Sequence, residues 1–122
     1  MTMTRHAYIL AASLPLLLPG PSAQAHAHLD HATPAVGSTV PAPKSVTLWF
    51  SESLEPAFST IEVRDDKGVA VQAGKATVDP ANRAELHVPL KSLAPGTYKV
   101  MWRVLSVDTH RTQGDFTFTV GR

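Results

Sequence analysis

Between Thr97 and Val107, Tyr98, Val100, Trp102 and Val104 alternate with Lys99, Met101, Arg103 and Leu105. A period of two puts one large apolar set on one face of an extended strand. A strand with that much apolar surface needs a second layer to cover it, which restricts the chain to sheet-on-sheet or closed-sheet architectures. The rest of the sequence agrees. Short alternating runs are punctuated by Pro and Gly, and no segment sustains apolar residues at helical spacing.

Strands are expected at Ala27–Thr33, Ser45–Ser51, Phe58–Arg64, Ala84–Val88, Thr97–Val107 and Asp115–Val120. Shorter ones are expected at Val69–Gln72 and Lys75–Val78. In Ser45–Ser51, Val46, Leu48 and Phe50 face in, while Thr47, Trp49 and Ser51 face out. Asp65-Asp66-Lys67-Gly68 and Ala94-Pro95-Gly96 are turns by composition. About seven to eight strands in one domain predict an all-β, immunoglobulin-like β-sandwich. The chain has no cysteine, so the Cys-Trp-Cys pattern of true immunoglobulin domains is missing and the core must carry the stability.

Residues 1–25 have the three parts of a secretory signal peptide. Arg5 supplies the basic start, Ala7–Leu18 the apolar run, and Ala23-Gln24-Ala25 the small-x-small cleavage pattern. The run is too short to span a bilayer. Cleavage would leave residues 26–122 as one domain outside the cytoplasm. It removes one arginine and no acidic residue, so ten Lys/Arg then face ten Asp/Glu. A neutral domain argues against nucleic acid or an anionic membrane surface as the main partner, and a monomer is the default.

Cleavage after Ala25 also makes His26 the first residue. A terminal histidine offers its α-amine and ring Nδ1 to one metal, closing a six-membered chelate ring. The amine's reference pKa of about 7.7–8 makes its deprotonation inexpensive at neutral pH. Asp108 and His110, two apart after the strongest strand, would leave one face of an extended chain together. The three residues supply three nitrogens and one oxygen. Such donors in a tetragonal plane suit Cu(II), which also tops the divalent affinity order, with zinc as the tetrahedral alternative.

His28 would share a face with His26, and His31 falls on the opposite parity as an exposed or edge residue. His87 reads as a partly buried structural residue, Glu52 and Glu55 as a solvated loop, Trp102 as core. Arg103 could pair with a carboxylate near the site. Ser51, Ser53, Ser59 and Ser106 have no spacing that suggests a catalytic base, and there is no phosphate loop.

These residues together resemble the CopC family of bacterial periplasmic copper-resistance proteins. The resemblance rests on His26-Ala27-His28-Leu29, Thr33-Pro34-Ala35-x-Gly37-Ser38 and Leu48-Trp49-Phe50-Ser51-Glu52. It continues through Pro95-Gly96-Thr97-Tyr98-x-Val100-x-Trp102-Arg103-Val104-x-Ser106-x-Asp108-x-His110 and Gly114-x-Phe116-x-Phe118-x-Val120. It implies a Greek-key β-sandwich or barrel that holds one Cu(II) through His26, Asp108 and His110. It also implies an inner-membrane copper importer of the CopD type as a partner. Some members carry a Met-rich Cu(I) site. Here Met1 and Met3 leave with the leader and Met101 alone remains, so a Cu(II)-only protein is expected. Two other functions compete with this one: a histidine-brace copper oxidoreductase, and a metal-free β-sandwich interaction module. Asp108 discriminates against the first, because a carboxylate in the fourth position closes the site that oxygen chemistry needs.

Overall fold

The computed structural model describes residues 27–122. Two four-stranded sheets face each other and do not close into a barrel. The strands are β1 Leu29–Thr33, β2 Thr39–Val40, β3 Ser45–Phe50, β4 Thr60–Arg64, β5 Thr77–Val78, β6 Glu85–Pro89, β7 Gly96–Leu105 and β8 Arg111–Val120. The first sheet runs β1-β3-β6-β5 and the second β2-β8-β7-β4. That is the immunoglobulin arrangement of strands A-B-E-D against C-F-G, with β2 added in parallel beside β8. No α-helix occurs among the described residues; one 3-10 turn spans Pro56–Phe58.

The alternation places the core as expected. Val46, Leu48 and Phe50 of β3, Leu86 and Val88 of β6, and Ile61 and Val63 of β4 are buried. Against them pack Tyr98, Val100, Trp102 and Val104 of β7 and Phe116, Phe118 and Val120 of β8. Each such side chain contributes about 1.5–3 kcal/mol by leaving water. Tyr98 adds a second immunoglobulin feature. Its hydroxyl donates to the Ala94 carbonyl at 2.5 Å, forming a tyrosine corner at the start of β7.

Three expectations are revised. No strand forms over Val69–Gln72, where Ala70 and Gln72 make single bridges to Arg64 and Leu90. β8 starts at Arg111, four residues before the apolar alternation, because the polar stretch 111–114 pairs with Trp102–Leu105 of β7. β1 carries a bulge, since Leu29 pairs with Phe50 while His31 pairs with Trp49. The bulge reverses the parity of everything before it. Buried Ala27 and core-packed Leu29 flank an exposed His28, and His31 beyond the bulge is exposed as well. The two histidines thus both point outward. His31 stacks on Trp49, with centroids 4.4 Å apart and planes at 7°.

Candidate metal centre

β7 and β8 form a long hairpin, paired from Gly96–Val120 up to Leu105–Arg111. Strand β7 stops at Leu105, two residues short of the expected Val107, and Asp108 lies in the connecting loop that follows it. The loop is built by two main-chain bonds. Ser106 N–H donates to the His110 carbonyl at 3.0 Å, and Thr109 N–H donates to the Ser106 carbonyl at 2.9 Å. This is a three-residue hairpin loop closed by a left-handed residue. That residue is Thr109, with φ of 73°, a conformation uncommon for a β-branched side chain.

The side chains of the loop converge on Asp108. The hydroxyl of Ser106, a fully buried residue, donates to Asp108 Oδ1, and the His110 N–H reaches the same oxygen at 3.3 Å. The Ser106 hydroxyl holds the Asp108 carboxyl below its usual range, against the opposing effect of burial; the His110 N–H, ring and charge act in the same direction as the hydroxyl. Oδ2 is buried and has no aligned hydrogen bond. His110 Nδ1 lies 3.3 Å from it, close but not an aligned hydrogen bond. Adjacent donors on a metal with bonds of about 2.0 Å stand about 2.8–3.3 Å apart, from a square to a tetrahedral angle. The Asp108–His110 pair is therefore already at chelating separation, with an unsatisfied oxygen and a nitrogen side by side.

The loop is also tied from behind. Val107 N–H donates to the Ser53 carbonyl at 3.0 Å, and Glu55 N–H to the Leu105 carbonyl at 2.8 Å. The β7 side of the loop is thus held by the segment after β3. That bracing and the buried Ser106 make the pair a fixed feature of the second sheet.

His26 lies outside the described residues, as do residues 1–25. The chain that follows it is firmly placed. Ala27 is fully buried, and its carbonyl accepts a bond from Thr112 Oγ1 at 2.8 Å. His28 N–H donates to Ser51 Oγ at 2.8 Å, and Ser51 N–H returns a bond to the His28 carbonyl at 2.8 Å. Thr112 stands two residues beyond His110 on β8. The main chain immediately after His26 is thus held at the base of the Asp108–His110 hairpin.

The remaining candidates separate cleanly. His87 is half-buried and faces Thr77, whose hydroxyl lies 3.3 Å from Nε2. Trp102 is core, packed edge-on to Phe50 with centroids 5.1 Å apart. Met101 and Arg103 stand on the outer face of the second sheet, bordering a shallow hollow of about 440 Å³ with Glu62 and Asp115. Among the described residues no ion pair joins Arg103 to Asp108; the ion pairs are Arg64–Glu62 and His110–Asp108. Ser106, Ser51 and Thr112 are supports whose side chains are not of metal-binding type. Ser106 had a local signal, its two-residue spacing to Asp108; the other two make contacts only through the fold.

The CopC domain model matches residues 29–121. The chain belongs to the CopC family. It is 44% identical over 102 residues to protein YobA of Escherichia coli strain K12, covering 82% of each chain. Among solved structures, CopC from Methylosinus trichosporium OB3b is 38% identical with a TM-score of 0.73, over 78% of this chain and 93% of that one. PcoC, a methionine-rich copper resistance protein from Escherichia coli, is 34% identical with a TM-score of 0.70, over 80% of this chain and all of that one. CopC membership implies copper as the ligand, which the chelating separation of Asp108 and His110 suits but does not by itself distinguish from zinc.

Proposed function

We propose that this CopC-family protein is a periplasmic Cu(II) carrier or sequestering factor, active in copper resistance after removal of residues 1–25. One Cu(II) is held by the α-amine and ring nitrogen of His26, the Asp108 carboxylate and the His110 imidazole. The observation that carries this reading is the fixed position of Ala27, hydrogen-bonded to Thr112 beside a preformed Asp108–His110 pair. A peptide bond joins His26 to Ala27, and Ala27 itself is bonded at the base of the hairpin. Three nitrogens and one oxygen favour copper over zinc by donor type and by affinity order.

The protein is a binder and not an enzyme, because Asp108 takes the position that an oxygen-activating copper centre would leave open. It is a Cu(II)-only binder, because one thioether, Met101 on the outer sheet face, is no soft-ligand cluster. It acts as a monomer, and in the carrier role its partner is the inner-membrane importer of the CopD type that family resemblance implies.

The test is Cu(II) competition titration with electron paramagnetic resonance on protein beginning at His26. His110→Ala should lose most of the affinity, and Asp108→Ala should lose affinity or admit an exchangeable ligand. Wild-type affinity and spectrum in both variants would remove the hairpin from the site. Cu(I) bound through sulfur with comparable affinity would overturn the Cu(II)-only assignment.

A further inference from the structure

We propose that Thr112 is a positioning residue for copper: its hydroxyl sets where the terminal chelate stands relative to Asp108 and His110. The proposal rests on His26 being a ligand, as above. The two limbs of the site belong to different sheets. The chain from Ala27 runs into β1 of the first sheet, and its His28 is zipped to Ser51 at the end of β3. The Asp108–His110 hairpin belongs to β7 and β8 of the second sheet. Thr112 of β8 reaches across to the Ala27 carbonyl at 2.8 Å, a contact 85 residues apart in sequence.

That bond joins the limbs one residue from the terminal ligand and two residues from His110. Chain termini fray unless they are tied down. Ser51 ties the terminus to the end of β3, and Ser53 and Glu55 just beyond it bond to Val107 and Leu105 on the β7 side of the hairpin. The Thr112 hydroxyl adds a direct bond from the terminal segment to β8, the His110 side, and the side chain is half-buried on the inner face opposite Val104, so it has little freedom. Ala27 itself is fully buried, so water does not readily replace the lost donor at its carbonyl. Thr112 touches no metal in this account; it acts through the backbone of residue 27.

Thr112→Val keeps the shape and removes the donor. In protein beginning at His26, it should weaken Cu(II) about tenfold, in the range found for groups that orient metal ligands. The copper hyperfine splitting should shift, and the His28 amide of metal-free protein should exchange faster. Thr112→Ser should restore affinity and splitting to within about twofold of wild type. In a His26→Ala background with the terminal amine acetylated, so that residue 26 offers neither the α-amine nor a ring nitrogen, Thr112→Val should cost less than about twofold. Thermal unfolding of each variant separates a folding defect from a positioning effect.

Wild-type affinity in Thr112→Val, with His26→Ala weakened, would overturn the role of Thr112 alone. The same tenfold loss in both backgrounds would also overturn it, placing the effect on His110 through β8. Unchanged affinity in the acetylated His26→Ala protein would instead overturn the terminal ligand, and this proposal with it.

Discussion

Gly114 stands opposite Trp102 in the β7–β8 ladder, and the indole lies across the space where a side chain would be. A Cβ built on Gly114 would sit 2.5 Å from Trp102 Cζ2, 2.8 Å from Cε2 and 3.2 Å from Nε1. Real Cβ atoms do not approach ring carbons that closely, so Gly114→Ala must move either the ring or the strand. The ring has little room to move, being only 8% exposed and set edge-on against Phe50. The strand is held on one side by the full β7 ladder. Overpacking of this kind costs about 1–3 kcal/mol, and with both neighbours fixed the upper end applies. For a domain of this size, about 2–3 kcal/mol lowers the melting temperature by roughly 10–20 °C. Urea unfolding of metal-free Gly114→Ala, followed by circular dichroism, measures the loss directly. Trp102→Leu in the same chain should recover part of it, because the clashing ring is gone, so the double mutant should be more stable than the sum of the single changes predicts. A Gly114→Ala protein within about 0.5 kcal/mol of wild type would refute the argument, since ordinary surface changes fall in that range.

Thr109→Gly should stabilise the fold by about 0.5–1 kcal/mol, because a left-handed φ costs an L side chain more than glycine loses in unfolded-chain entropy; equal or lower stability by urea unfolding would count against strain in the loop. Tyr98→Phe should cost about 1 kcal/mol in the same assay, by removing the corner bond to Ala94; a neutral result would mean that this bond adds nothing beyond ring packing. The lowered Asp108 pKa has a definite sign. Its stabilisation is full above the ordinary Asp value of about 3.9 and is lost as pH falls through the lower folded value. Ser106→Ala removes the largest cause, so the carboxyl titration of Asp108, read by NMR on metal-free protein, should move upward; an unmoved midpoint would mean that the hydroxyl is not what holds it down.

The strands that alternate cleanly were legible before any coordinates. Ser45–Phe50 and Gly96–Leu105 needed only the period of two. The errors lie where local pattern and tertiary pairing part. Val107 looked like a strand residue because it is apolar, yet it is 47% exposed in the loop. Residues 111–114 fell outside the expected Asp115–Val120 strand because they lack apolar alternation; Gly114 among them makes room for Trp102. β2 is two residues long, and its parallel pairing with β8 gives it no local signature. The bulge in β1 is equally invisible locally: His31 is exposed as expected, but on the same side as His28 and not on the opposite parity.

In the candidate site, Asp108-x-His110 was legible because its two ligand types coincide with a histidine at the expected cleavage point, His26. The reason for their approach was not. A hairpin loop with a left-handed Thr109 brings them together, where simple strand alternation had been the expectation. Thr112 and Ser51 carry no metal-binding chemistry, so only their hydrogen bonds to Ala27 and His28 reveal them.

The account turns on His26 acting as an N-terminal chelate. Two proteins differing by one residue test it: one beginning at His26, the other keeping Ala25 before it. The extra residue converts the α-amine of His26 into an amide and leaves Asp108, His110 and the fold untouched. Competition titration should show tight one-to-one Cu(II) with a nitrogen-rich tetragonal spectrum in the first protein, and a large loss of affinity with an altered spectrum in the second. Equal affinity and identical spectra in the two would contradict the account.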